Sequence, residues 1–182
     1  MYIIVDPGHG GKDSGATYQH GNLSIIEKDI NLRAGFYLQE ALTNLGHTAV
    51  MTREFDIYET LDQRVQMEHN LSPHLFISLH CNYYHLESAH GFEIFTSKGR
   101  TDSDTYATRI LDSISLVYPD VNLRTDYGDG DSDKEENFYV LRNTRGPAVL
   151  IELGFISNPQ EAKRLLDGIF LQDMTKVIAQ AI

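Results

Sequence analysis

Met1-Tyr-Ile-Ile-Val-Asp-Pro-Gly-His-Gly-Gly-Lys-Asp-Ser-Gly-Ala16 decides how the rest of the chain is read. Tyr2 to Val5 has the make-up of a short buried strand, apolar or aromatic at every position and free of turn formers. Pro7 and Gly8 are expected to stop it, because proline lacks a donor and glycine admits angles that a strand does not use. His9 then lies just beyond the C-terminal end of a strand, on a loop with little side-chain bulk. In open α/β sheets ligands bind at that edge. The plainer reading is a tight glycine turn carrying an ordinary surface histidine. Gly8 to Lys12 is no phosphate loop: the Gly-Lys pair is followed by Asp13, whose carboxylate would repel bound phosphates.

Outward from this stretch the chain alternates strands and helices. Ser24 to Glu27 has the pattern of a capping box and opens a helix with an apolar stripe through Ile26, Ile30, Ala34, Leu38, Ala41, Leu42 and Leu45. Gly46 ends it, and a second strand is expected over His47 to Thr52. A helix from about Thr60 to Asn70 carries Leu61, Val65 and Met67. It is followed by strands over His74 to His80 and Gly91 to Thr96, then by a helix over Thr101 to Tyr118 with Tyr106, Ile110, Ile114 and Val117 on one side. Phe138 to Leu141 reads as a short strand or edge and Pro147 to Glu152 as a buried strand. The chain from Pro159 to Ile182 reads as amphipathic helix interrupted near Gly168. This order predicts one α/β domain over residues 1–182, with a mainly parallel sheet and helices on both faces.

Composition narrows the function. The 182 residues carry a formal net charge of −11, with 41% hydrophobic and 23% charged residues. No Lys/Arg cluster exists to neutralise phosphates, so nucleic acid is not an expected partner. No apolar run is long enough for a membrane span, and no basic, apolar leader opens the chain. The single cysteine, Cys81, excludes an intrachain disulfide framework and a cysteine-rich zinc module, and reads as a small packing residue facing away from His80. The acidic stretch from Tyr127 to Glu136 is not an EF-hand, since counting from Asp129 puts Lys134 where glycine is needed and Val140 where glutamate is needed. A solvated surface loop is expected there.

Four polar residues fall on one edge of the predicted sheet. Glu27 is explained by its capping box, yet a helix that follows a strand starts at the edge where His9 sits. His80 ends the strand Leu75 to Leu79 and could simply cap it; beside His9 and Glu27 it completes a two-histidine, one-carboxylate set that suits catalytic Zn²⁺. Iron could use the same ligand types, but hydrolysis needs no redox metal. Glu152 ends an apolar strand, and a carboxylate there needs a cation, a donor or a proton. It either forms a salt bridge, with Arg142 or Arg145, or handles the proton of a metal-activated water. His20, His47, His69, His74, His85 and His90 are weaker candidate ligands.

Together the segments Ile4 to Ala16, Glu27, Ser78-Leu-His-Cys-Asn82, Tyr139 to Thr144 and Val149 to Asn158 resemble the zinc-dependent N-acetylmuramoyl-L-alanine amidases of the amidase_3 type. Cys81 stands where that family often has Ala, and Ser14 where it often has Pro. The resemblance implies a twisted six-stranded mixed sheet with helices around it, zinc bound by His9, Glu27 and His80, and Glu152 as the catalytic glutamate. Asn82 would lie near the site. The implied substrate is bacterial peptidoglycan, cut between the lactyl group of N-acetylmuramic acid and L-alanine. Another zinc-dependent wall hydrolase, or a silent wall-binding module, are the alternatives. A separate wall-binding module, release by phage lysis and action in a spore mother cell also fit. The short region from Thr96 to Asn137 leaves little room for a regulatory helix over the metal, so an open cleft is expected.

Overall fold

The computed structural model describes residues 1–128 and 130–182. Strand β1 (Tyr2–Pro7) leads through a loop to the hairpin β2 (Thr17–His20) and β3 (Leu23–Ile26), then to helix α1 (Glu27–Asn44) and strand β4 (Thr48–Met51). Helix α2 (Leu61–Leu71), strands β5 (Leu75–Asn82) and β6 (Glu93–Thr96), helix α3 (Asp102–Val117) and the two-residue strand β7 (Lys134–Glu135) follow. The chain closes with α4 (Tyr139–Asn143), β8 (Ala148–Phe155), α5 (Pro159–Leu166) and α6 (Gly168–Gln180).

The main sheet has six strands in the order β4-β1-β5-β8-β6-β7. Every pairing is parallel except β6 with β8, so the sheet is mixed. Period-two alternation divides its side chains between two cores. Ile3, Val5, Ile77, Leu79, Val149 and Ile151 pack under α1, α3, α5 and α6. Ile4, Phe76, Ala148 and Leu150 face Val65 of α2 and Val140 and Leu141 of α4. His80 follows Phe76 and Ser78 onto the α2–α4 face, while Cys81 is buried in the opposite core as a free thiol. No helix among the described residues is long and apolar enough to cross a membrane.

Several local expectations are corrected. The stretch before α1 folds as a hairpin that places Ser24 in β3, so the expected capping box does not form. The residue before α1 is Ile26, with no side-chain cap. Strand alternation that buries Ile25 wins over the capping pattern. Strand β1 runs on through Pro7: β4 stops at Met51 opposite Val5, so the missing proline donor faces no strand on that side. Phe138 to Leu141 leads into a helix, α4, which buries Val140 and Leu141 together against the sheet. Helix α3 buries Ala107, Ile110, Leu111 and Ile114, whereas Val117 overhangs into solvent. In α2 the buried face is largely polar, with Arg64 and Glu68 beside Val65. The acidic stretch is not uniformly solvated, because Ser132 and Asp133 are buried; Asp129 lies outside the described residues.

Candidate metal centre

Two buried arginines fix the loop that carries His9. Arg53 donates from Nε to Pro7 O at 2.9 Å and from Nη2 to Gly8 O at 3.1 Å and Lys28 O at 2.8 Å. Arg64 donates to Pro7 O at 2.9 Å and His9 O at 2.8 Å, and pairs with Asp6 beneath. These bonds hold His9 at φ 61°, left-handed backbone that costs a non-glycine residue about 1 kcal/mol or more. Asp6 is further held by Thr52 Oγ1 at 2.6 Å and Ser78 Oγ at 2.7 Å. Burial pushes its carboxyl up, but Arg64 and the hydroxyl donors outweigh that and hold it below its usual value.

Glycine makes the room. A Cβ on Gly8 would sit 2.2 Å from Cε1 and 2.3 Å from Nε2 of His80. One on Gly15, at φ +63°, would come within 2.5 Å of both Glu27 Oε2 and the His9 ring. Only side chains without a Cβ let the imidazoles and the carboxylate close on one another.

Glu27 is the first residue of α1, where the helix dipole favours a negative charge. Its Oε1 lies 3.2 Å from His9 Nε2 and 3.0 Å from His80 Nδ1, and accepts from Cys81 N at 3.1 Å and Asn31 Nδ2 at 3.2 Å. Its Oε2 accepts from Ala16 N at 2.7 Å. One donor atom from each of His9, Glu27 and His80 lies within 4.8 Å of the others, a group able to hold a metal ion. Burial disfavours charge on Glu27, yet the two imidazoles more than offset it and hold its carboxyl far below the carboxylate range. Burial likewise opposes charge on His9, but Glu27 and Asp13 raise its pKa to about 9.

Asp13 was not singled out as a site residue by the sequence. It lies four residues after His9 and places Oδ2 2.9 Å from His9 Nδ1, leaving Nε2 to face Glu27. A His-x-x-x-Asp spacing within a glycine-rich loop was the available signal. Neither Arg53 nor Arg64 carries a local pattern that marks it, because their targets are backbone carbonyls far away in sequence.

Glu152 sits on β8 in register with His80 of β5 on one side and Glu93 of β6 on the other. Its Oε2 is buried without a hydrogen-bond partner. Among the described residues it has no salt bridge, so Arg142 and Arg145 do not explain it. Burial, then the negative charges of Glu27 and Glu93, push its carboxyl well above the usual value. Asn82 donates to Glu93 Oε1 at 3.2 Å rather than into the cluster. Elsewhere, His47 faces the terminal amino group, His74 accepts from Tyr2 N and His69 meets Asn143 O; none joins the triad.

A cleft of about 430 Å³ opens over these groups, lined by His9, Asp13, His80 and Glu152 with Tyr58 and Tyr139 on its walls. The side chains of His9 and His80 remain 25% and 19% exposed. Helix α3 packs on β6 and α6 and lines none of the cleft.

The class the fold and site define is an α/β domain whose sheet edge gathers a two-histidine, one-glutamate cluster able to hold a metal ion. The chain belongs to the Amidase_3 family, described as N-acetylmuramoyl-L-alanine amidase, whose model matches residues 3–182. Its fold closely matches the N-acetylmuramoyl-L-alanine amidase AmiC2 of Nostoc punctiforme, with a TM-score of 0.88 and 28% identity over 100% of this chain and 94% of that one. An N-acetylmuramoyl-L-alanine amidase from Clostridium difficile 630 gives a TM-score of 0.89 and 30% identity over 99% and 93%. A probable cell wall amidase of Staphylococcus aureus, LytH, is 29% identical over 180 residues, 99% of this chain but only 56% of that protein. The chain thus spans about half the length of the curated relatives it matches.

Proposed function

We propose that this chain cleaves the amide between N-acetylmuramic acid and L-alanine in bacterial peptidoglycan, with Zn²⁺ held by His9, Glu27 and His80. Family membership supports the substrate, and the observation that carries the chemistry is Glu152: a carboxylate with a buried, unpartnered oxygen in register with a candidate ligand. The donor set fits the ion, since two ring nitrogens and one carboxylate oxygen converge in a cradle that a Cβ at Gly8 or Gly15 would fill. When bound, zinc supplies Lewis acidity for the scissile carbonyl and lowers the pKa of water to about 7.

The chain's own groups do the rest. Asp13 fixes the His9 tautomer by accepting from Nδ1, which directs the Nε2 lone pair inward. Glu27 is kept anionic by its surroundings and so serves as a charged ligand. Glu152 takes the proton of the attacking water and returns it to the departing L-alanine nitrogen. Its raised affinity for a proton, caused by burial and by two neighbouring carboxylates, suits a group that must both accept and donate. With a net charge of −11 the chain is poorly built to adhere to anionic wall polymers, which favours, without requiring, targeting by a separate wall-binding module. Release by phage lysis or use in a spore mother cell fits the same domain.

Mass spectrometry of peptidoglycan digested by the zinc-loaded protein, with and without chelator, tests the reading. New amino-terminal L-alanine is expected without chelator only. Free acetate would make the protein a deacetylase, and internal stem-peptide cuts a peptidase. Glu152→Gln should keep zinc stoichiometry and lower turnover by at least about 100-fold.

A further inference from the structure

The acidic segment before β7 holds a second arrangement that amide hydrolysis does not use. Asp133 is only 2% exposed, and while its Oδ2 accepts from Thr96 Oγ1 at 2.7 Å, its Oδ1 is buried without a partner. Asp131 Oδ1 is also buried and unpartnered, as is Ser132 Oγ. The Asp131 and Asp133 carboxylates lie within hydrogen-bonding reach of each other, although neither can donate when ionised. Among the described residues no lysine, arginine or histidine forms an ion pair with either. Lys134, next in sequence, is turned to Glu93 at 2.5 Å, and Asp104 is taken up in capping α3 through Thr101.

Two apposed carboxylates with inward oxygens lacking any donor are costly unless a proton or a cation lies between them. We propose that Asp131 and Asp133 bind a hard divalent cation, calcium by preference, at the sheet edge beside β7. The available donors are all oxygens, and the segment is an irregular loop. Calcium accepts irregular sets of six to eight oxygens with waters completing the shell, whereas magnesium demands a near-ideal octahedron. A proton would be the competitor, since burial and the Asp131 charge raise Asp133 to about 7. The cation would tether the chain entering β7, whose Lys134 reaches Glu93, the register partner of Glu152. The site is separate from the triad, so its fate does not depend on the amidase reading.

Calorimetric titration of calcium chloride into the zinc-loaded full chain at pH 7.5 tests this. One saturable site is expected, in the range of about 10⁻⁴ to 10⁻³ M typical of weak oxygen sites. Asp131→Asn and Asp133→Asn should each weaken it at least tenfold while zinc stoichiometry and far-ultraviolet circular dichroism stay unchanged. Should Asp133→Asn unfold the chain, Asp131→Asn, at a partly exposed position, decides alone. No saturable binding up to 10 mM (roughly ten times the weak end of that range), binding that survives Asp131→Asn, or magnesium binding tighter than calcium would each overturn the proposal. A chain that ignores calcium but is stabilised by Asp133→Asn would show a shared proton in its place.

Discussion

Glu93 and Glu152 stand opposite each other across the antiparallel β6–β8 pair, and only Glu93 has cations of its own. Arg124 Nε and Lys134 Nζ each approach it to 2.5 Å, while Glu152 keeps a buried oxygen unpaired. Two like carboxylates are thus made unequal, one paired with two cations and the other left with an unpartnered buried oxygen. Glu93→Gln removes a negative charge facing Glu152 and frees two positive ones. Both changes lower the Glu152 pKa, so the acid limb of the pH–rate profile should move to lower pH. A profile identical to that of the parent protein would show that the pair is not coupled.

Gly8→Ala should expel the His80 ring, because the new methyl would overlap three of its atoms. The backbone there can accept alanine more readily than the imidazole can share the space. Metal stoichiometry should fall below one while the circular dichroism spectrum stays native. Full metal loading in Gly8→Ala would mean that the ring has another way in.

Metal loading should depend on pH through His9. Its pKa is raised to about 9, so in the metal-free protein the ring is protonated below that value and the ion must displace a proton. Apparent affinity should therefore rise with pH, roughly tenfold per unit for one displaced proton, and level off above about 9. Asp13→Asn should weaken binding by about 10- to 100-fold through the lost orienting bond. Competition with a chromophoric chelator between pH 6 and pH 9.5 (on either side of about 9) reads both effects.

Asp6 and Arg64 form a buried pair, and removing one partner strands the other charge, at a cost of about 3–5 kcal/mol. Arg64→Ala should show this in urea denaturation, with loss of metal affinity as well because Arg64 also holds His9 O. The folded Asp6 pKa is depressed, so its contribution is complete above the unfolded value of about 3.9 and is lost as pH falls through the lower folded value. Asp6→Asn should accordingly lower stability at pH 7 and narrow the difference from the parent as the medium becomes strongly acidic.

The sequence carried the edge of the sheet where the site lies, and for a physical reason. Val5, Leu79 and Ile151 belong to apolar runs whose ends are marked by polar residues, so His9, His80 and Glu152 could be placed at strand ends by pattern alone. Glu27 was placed at the same edge because it starts the helix that follows a strand, and it does start α1; the capping box that offered the plainer explanation does not form. The hairpin β2–β3 escaped notice because only its Tyr18–Ile25 pair packs on the core, while His20 and Leu23 on the same face are exposed. Arg53, Arg64 and Glu93 were invisible because a residue that serves distant carbonyls or ion pairs leaves no periodic trace.

The order of strands has a consequence for a newly made chain. Strand β8 lies between β5 and β6, yet it is the last of the six to be synthesised. Until it inserts, β5 and β6 have no common neighbour, and His80 of β5 stands without Glu152 in register beside it. A chain ending before Ala148 would lack both the strand that joins β5 to β6 and the carboxylate that stands beside His80. On the function proposed above, the carboxylate assigned to proton transfer is thus the last of the four site residues to reach its place.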